Sequence, residues 1–537
     1  MHYTGKLKTL DNLKNTRKIR LKHSPKMKRS YILFCAALLF TLSLCAEIKM
    51  PRIFSDNMVL QRGVPVKVWG WASPGSDVTV SFSGQTKTAK ANAKGEWLVE
   101  LSPLRESVEA SEISISESGG APKQIKNVLV GDVWISGGQS NMEFAAKRMD
   151  GANDFLSELK GHPVRFFVQK ESKPSKVPME DTGKNSKWFD CKSDDVSWLS
   201  AVALIFARDI SAKTGVPIGV IDSSFSGTNM YSWLPQEVFD NDPLVEHERV
   251  NWKNRLKNYN YQKALEKWQK GVDEYEAAVA KAKAEGKPVP PQHYSTTLLH
   301  KPRPDSPDLF RTRCELYNAR IYPIKRYAAR GILWYQGEND GYMKKGFRES
   351  FMSLINAWRQ SWGNPDMPFI SVQLPSWGSD APWAEIRQQQ YEACRNLKNT
   401  GIVVTIDTGE KDDIHPTEKL PIGHRAAAIA LHDVYGFKDI AAYGPIMKDV
   451  KFIGKLARVE FSGGNLECKG EPRGFEVLCG GKWIPAKAKV KKDCVLLRAA
   501  DSNSDIEGVR YLWETFAKPN VCLYSNDIPA MPFIKEK

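Results

Sequence analysis

A chain of 537 residues with 42% hydrophobic content and 16 Trp is too long for one ordinary core and too apolar for disorder. Its formal charge of +15 is concentrated early: ten Lys and Arg against one Asp in residues 1–30 supply nine of those charges, leaving +6 for the rest. That remainder shows no basic stripe with interleaved aromatics, so nucleic acid is excluded as a partner.

Residues 32–46, "ILFCAALLFTLSLCA", form an uncharged apolar run behind the basic "KMKRS". A basic region, a short apolar region and small residues near Ala46 predict a secretory signal over residues 1–46. The run is shorter than the ~20 residues a spanning helix needs, so no stable membrane span is expected after processing. The protein is expected to be exported, periplasmic or extracellular, with a lipid anchor at Cys45 as an alternative form. Seven Cys follow (Cys191, Cys314, Cys394, Cys468, Cys479, Cys494 and Cys522), none in a C-x-x-C pair, so zinc and thioredoxin-type chemistry are not indicated. Four of them fall in the last 70 residues. There, either one or two disulfides or small buried hydrophobes are expected.

Residues 47–128 read as an N-terminal β domain. "VPVKVWGWA", "SDVTVSF" and "GEWLVEL" alternate apolar with polar residues between Gly, Pro and Ser turns. From 129 to 445 the period changes. Short apolar strands, "VRFFV" (164–168), "VPIGVID" (216–222), "GILWY" (331–335), "MPFISVQL" (367–374) and "GIVVTI" (401–406), alternate with helical stretches. Val196, Leu199, Val202, Ala203, Phe206 and Ile210 share one helical face, and Gly215 follows as a stop. This alternation predicts an α/β fold with a largely parallel sheet covered on both faces. Residues 236–305 break the rhythm with a charged, Ala/Lys/Glu-rich helical insertion that becomes Pro-rich. Residues 446–537 return to β character in "LARVEF", "GFEVLC", "KWIPAKAKV" and "CVLLRAA", a second sandwich-like domain.

Ligands of such sheets bind beyond the carboxyl ends of strands. After "VGDVWIS" comes "GGQSNM", in which Ser140 stands at the start of a helical stretch, "EFAAKRMD". Free N–H groups there favour an oxyanion, although an N-cap Ser reads equally simply. The stretch is not G-x-S-x-G, because Met142 takes the place of the second glycine. After "VPIGVID", Gly227 can bring its N–H close to a ligand. After "GILWY", "QGEND" offers the amide of Gln336 and the carboxyl groups of Glu338 and Asp340. After "GIVVTI", "DTGEKDDIHP" carries His415 with Asp412 and Asp413 beside it. His424 and His432, on the next helical stretch, are read as structural. A hydroxyl, oxyanion donors and an acid–His pair at four strand ends are what acyl transfer to water requires.

The strings "VGDVWISGGQSNMEF", "SSFSGTNMYSW", "GILWYQGEND" and "DDIHPTEKLPIGHR" resemble the sialate O-acetylesterase family of SGNH-type hydrolases. "PRIFSDNMVLQRGVPVKVWGWASPG" and "LYSNDIPAMPF" extend the resemblance to both flanking regions. The resemblance implies a flavodoxin-like three-layer core with β-rich additions. It implies Ser140 as nucleophile and His415 as base. The backbone N–H groups of Ser140 and Gly227 and the Gln336 side chain are implied as oxyanion donors, with Gln139, Asn141 and Glu338 in support. Ser226 and Asn339-Asp340 depart from the family's usual residues, which leaves the role of Asp340 open. Asp412, Asp413 or a backbone carbonyl would orient His415. The implied substrate is an O-acetylated sialic acid or related glycan, with no metal or organic cofactor. An acetylxylan or other polysaccharide acetylesterase of the same fold is the alternative, and a non-catalytic carbohydrate-binding protein is a further one.

Overall fold

Runs of Val, Ile and aromatic residues too short for helices become the strands of one central sheet in the computed structural model. The structure describes residues 48–118, 120–290, 301–307, 312–500 and 504–537. The signal segment expected at 1–46, with Cys45, lies outside them. Among the described residues no helix is long and apolar enough to cross a membrane.

The central strands are β1 (Lys123–Gly138), β2 (Val164–Val168), β3 (Lys187–Asp190), β4 (Ile218–Asp222), β5 (Gly331–Tyr335), β6 (Phe369–Val372) and β7 (Thr400–Val403). They lie in the order β7-β6-β5-β1-β4-β2-β3. All neighbours are parallel except β3, which runs antiparallel to β2. Four helices cover the sheet: α1 (Ala201–Thr214), α2 (Phe347–Ser361), α3 (Trp383–Arg395) and α4 (Leu420–Asp433). Because side chains alternate along a strand, each strand feeds both faces. Trp134, Phe166, Val220, Leu333 and Val372 pack with α1 and α4. Ile135, Phe167, Ile221, Ile332 and Phe369 pack with α2 and α3. The expected parallel sheet with helices on both faces is present.

Three local readings need correction. The helix expected from Val196 begins only at Ala201, where Ser200 caps it by accepting from the Ala203 N–H; Val196 and Leu199 lie in the approach to it. Nearly all of Ala201–Ala207 is buried, so this helix hides more than one face. The helix expected from Glu143 is a single turn, Ser140–Glu143. Phe144 leaves helical geometry because its carbonyl accepts from Ala201 N and Ala146 N donates to Leu199 O. Finally, among the described residues the seven cysteines named above form no disulfide and six of them are buried, so of the two expectations the small buried hydrophobes hold.

The boundary expected at 128/129 falls inside β1. The first half of β1 pairs with Ser107–Glu117 and with Val59–Gln61, and its second half pairs with β4 and β5. The N-terminal β region and the core are therefore stitched by one continuous strand. The insertion forms helices Glu246–Lys257 and Tyr261–Ala284, the second of which buries only Ala282. The C-terminal region is a seven-stranded antiparallel sheet with a small three-stranded sheet beside it. It braces the loop after β7, since Lys518 Nζ donates to Gly409 O at 3.2 Å and pairs with Glu418.

The two glycines ahead of Gln139 each answer to a neighbour. A Cβ on Gly137 would stand 3.0 Å from the Trp334 ring and 3.1 Å from that of Trp358. Gly138 has φ +126°, and a Cβ there would lie 2.0 Å from Tyr335 O on β5. By contrast Gly215, at φ +71°, has nothing within 4 Å of its Cβ position. Gly138→Ala should therefore cost at least about 3 kcal/mol in urea unfolding. Gly215→Ala should cost only about 1 kcal/mol, the left-handed backbone penalty alone.

Candidate active site

Ser140 lies two residues past the end of β1, half-buried at the carboxyl end of the central strand. His415 lies 275 residues later, in the loop between β7 and α4, yet its Nε2 is 2.8 Å from Ser140 Oγ. The imidazole is held by its own main chain: His415 N donates to Asp413 Oδ1 at 2.8 Å. Of the two candidate carboxylates it is Asp413 that faces the ring, with Oδ1 3.7 Å from Nδ1. That is too long for a hydrogen bond, so Asp413 acts on the imidazole as a nearby charge. Burial pushes the His415 pKa below its ordinary 6.5, and the charges of Lys419 and Arg148 push the same way against Asp413. The imidazole is therefore neutral at pH 7 and able to accept a proton.

Two backbone donors are unengaged, one in the turn that carries the hydroxyl and one in the loop tied to it. Among the described residues the N–H groups of Ser140 and Gly227 have no hydrogen-bond partner. Gly227 follows β4 with φ +71°, and its loop is tied to the nucleophile turn on two sides. Phe225 N donates to Gly138 O at 3.0 Å, and Ser226 Oγ donates to Glu143.

Gln336 does not match its expected role as a third donor. It is 1% exposed, and both hydrogens of its Nε2 are committed, to Thr228 O at 2.7 Å and to Asp340 Oδ2 at 2.8 Å. Asp340, four residues on, also accepts from Met230 N at 3.1 Å. Burial lifts its pKa to about 7, against these hydrogen bonds. Gln336 and Asp340 thus pin the turn after β5 to the loop after β4.

The supporting residues meet around Asn141, which is fully buried. Its Nδ2 donates to Glu338 Oε1 at 2.5 Å and to Ile414 O at 3.0 Å. Its Oδ1 accepts from Lys419 Nζ at 2.6 Å. Burial holds the Glu338 carboxyl above the usual carboxylate range. Gln139 Oε1 accepts from Asn339 N at 3.4 Å. His424 and His432 stay outside this group, on Asp209 and Asp433. Sequence reasoning missed Lys419. Its only signal was a lone Lys ahead of the apolar "LPIGHRAAAIA", and nothing in that pattern announces a buried ammonium.

Comparison with known proteins finds relatives that are carbohydrate acetylesterases. Residues 306–431 match the family described as carbohydrate esterase, sialic acid-specific acetylesterase. The sialate O-acetylesterase of Rattus norvegicus is 26% identical over 530 residues, covering 89% of this chain and 93% of its own length. That of Homo sapiens is 25% identical over 89% of this chain and 91% of its own. The crystal structure of a carbohydrate acetylesterase from Xanthomonas citri superposes with a TM-score of 0.74 at 27% identity, covering 91% of this chain and 100% of that one. The chain is therefore similar to sialate O-acetylesterases over most of its length, carries a sialic acid-specific acetylesterase match at residues 306–431, and is a carboxylic ester hydrolase.

Proposed function

We propose that the protein removes O-acetyl groups from sialic acids or related glycans, with Ser140 as nucleophile and His415 as general base. The observation that carries the reading is the 2.8 Å contact between Ser140 Oγ and His415 Nε2. His415 Nε2 takes the hydroxyl proton as Oγ bonds to the acetyl carbonyl carbon. The carbonyl oxygen becomes an oxyanion, held by the N–H groups of Ser140 and Gly227; each such donor is worth about 3 kcal/mol of barrier. The bond from carbon to the sugar oxygen then breaks, and His415 returns its proton to that oxygen. Water, deprotonated by His415, attacks the acetyl-serine; acetate leaves and the proton passes back to Ser140 Oγ.

Asp413 supports the imidazolium that forms in both steps, and Asp412 has no part in it. Asn141, Gln139 and Glu338 position the turns, and Gln336 does so through Asp340 in place of an oxyanion contact. The reading takes residues 129–445 as the esterase region, an SGNH-type, flavodoxin-like core with the 236–305 insertion and β-rich regions on either side. It includes export directed by the apolar run at 32–46.

Acetate release from O-acetylated sialic acid and from acetylated xylan, measured side by side, tests the substrate. Higher kcat/KM on the sialic acid supports the reading, and higher kcat/KM on xylan replaces it with a polysaccharide acetylesterase. Ser140→Ala should abolish release from either. Asp413→Ala should lower kcat/KM about 10-fold, the ~1.4 kcal/mol of one partly screened charge contact, whereas Asp412→Ala should leave it within about 2-fold. The pH profile follows from His415. Only the neutral imidazole is a base and its pKa lies below 6.5, so kcat/KM should be flat near neutrality. It should fall as pH drops through that lowered value. A midpoint above 6.5 would contradict the account of the imidazole's surroundings.

A further inference from the structure

An ammonium sealed inside a protein is costly, and Lys419 is 0% exposed. It also stands immediately ahead of α4, at the end where the helix dipole disfavours a cation. Among the described residues no carboxylate lies within ion-pair distance of it. Nζ instead donates to Asn141 Oδ1 at 2.6 Å and faces the rings of Phe144 and Tyr335, 4.7 and 5.6 Å from their centroids. Glu338, Asp413 and Glu410 attract its charge from farther off, and Arg148 opposes it. Burial outweighs these and lowers the ammonium to about pKa 7. A chain gains nothing in folding from a group so placed, so the gain is sought at the site.

We propose that Lys419 is a positioning residue of the esterase: through Asn141 it locks the Ser140 turn to the loop that carries His415. The inference rests on the function proposed above. An ammonium has donors only, whereas an amide has one acceptor end and one donor end. Facing Lys419 therefore fixes Oδ1 of Asn141 on that side and forces Nδ2 toward Glu338 Oε1 and Ile414 O. Ile414 precedes His415, and Asn141 follows Ser140, so one oriented amide sets the spacing of nucleophile and base. Without Lys419 the buried Oδ1 loses its donor, and Glu338 Oε1 and Ile414 O alone are left to orient the amide. Burial is the main cause that lowers the His415 pKa; the positive charge of Lys419 adds to it, together with Arg148 and against Asp413.

The test is p-nitrophenyl acetate hydrolysis by Lys419→Met, Asn141→Leu and the double variant. Lys419→Met is expected to lower kcat about 10–100-fold, the cost of a slightly displaced reacting pair, with KM changed less than about threefold. Removing the cation should raise the His415 pKa, so the acid limb of the rate profile moves to higher pH. Because Lys419 acts through Asn141, the double variant should lose no more than the worse single variant. A folded Lys419→Met with kcat within about twofold of the parent and an unmoved acid limb overturns the proposal, as does a multiplicative loss in the double variant. Should Lys419→Met fail to fold, Lys419→Gln carries the same measurement; if both unfold, the residue is structural and the proposal falls. Ser140→Ala separates the two ideas. Activity that survives it defeats the esterase site itself, whereas its loss beside an unaffected Lys419→Met defeats only the role of Lys419.

Discussion

Two strands, β5 and β6, separate β1 from β7, so the chain leaves the sheet at the two ends that matter roughly 14 Å apart. Everything at the site depends on closing that gap. The loop from 404 to 419 does so by running back across the carboxyl ends of β6 and β5 until His415 meets Ser140. It is anchored along its length. Thr405 Oγ1 donates to Gln373 O at 2.7 Å, Lys518 Nζ reaches Gly409 O, and Thr417 Oγ1 donates to Asp150 at 2.9 Å. The last anchor lies just past the nucleophile turn. The C-terminal β region, remote in sequence from Ser140, thus helps to hold the His415 loop in place.

The second constraint is polar. Strand ends that bury Asn141, Gln336, Glu338, Asp340 and Lys419 lose stability wherever such a group goes unpaired, and Gln336 Oε1 and Glu338 Oε2 do go unpaired among the described residues. The solution is a set of contacts that each join two different loops. Gln336 and Asp340 join the turn after β5 to the loop after β4. Asn141 joins the turn after β1 to those after β5 and β7. The backbone N–H groups of Ser140 and Gly227 have no hydrogen-bond partner among the described residues. A network of this kind sets geometry at the expense of stability, as expected where the surroundings of a reacting group must be fixed before substrate arrives.

The sheet was legible from the chain because its strands are short apolar runs whose period differs plainly from that of the intervening helices. Ser140, Gly227 and His415 stood out as candidates because each sits past a strand end in a Gly- or acid-rich turn, and the fold brings Ser140 and His415 into contact. The nature of Gln336 was not. An amide at a strand end reads as a donor to ligand, and only the fold shows that Thr228 O and Asp340 consume both of its hydrogens. The choice between Asp412 and Asp413 also lay beyond sequence, since one residue of loop geometry decides which carboxyl faces the ring. The helix expected after Ser140 failed because tertiary pairing of Phe144 and Ala146 with the approach to α1 outcompeted local propensity. Lys419 was hidden for a simpler reason: burial of a lone charge leaves no mark in a periodic pattern.

The account stands on a hydroxyl made nucleophilic by an imidazole far away in the chain. Labelling with a serine-directed organophosphate, followed by peptide mass spectrometry, reads that property without any assumption about the natural substrate. One rapidly formed adduct is expected, on the peptide containing Ser140, with a rate of labelling that collapses in His415→Ala. An adduct on another serine, or labelling of Ser140 at the same rate with and without the imidazole, would contradict it.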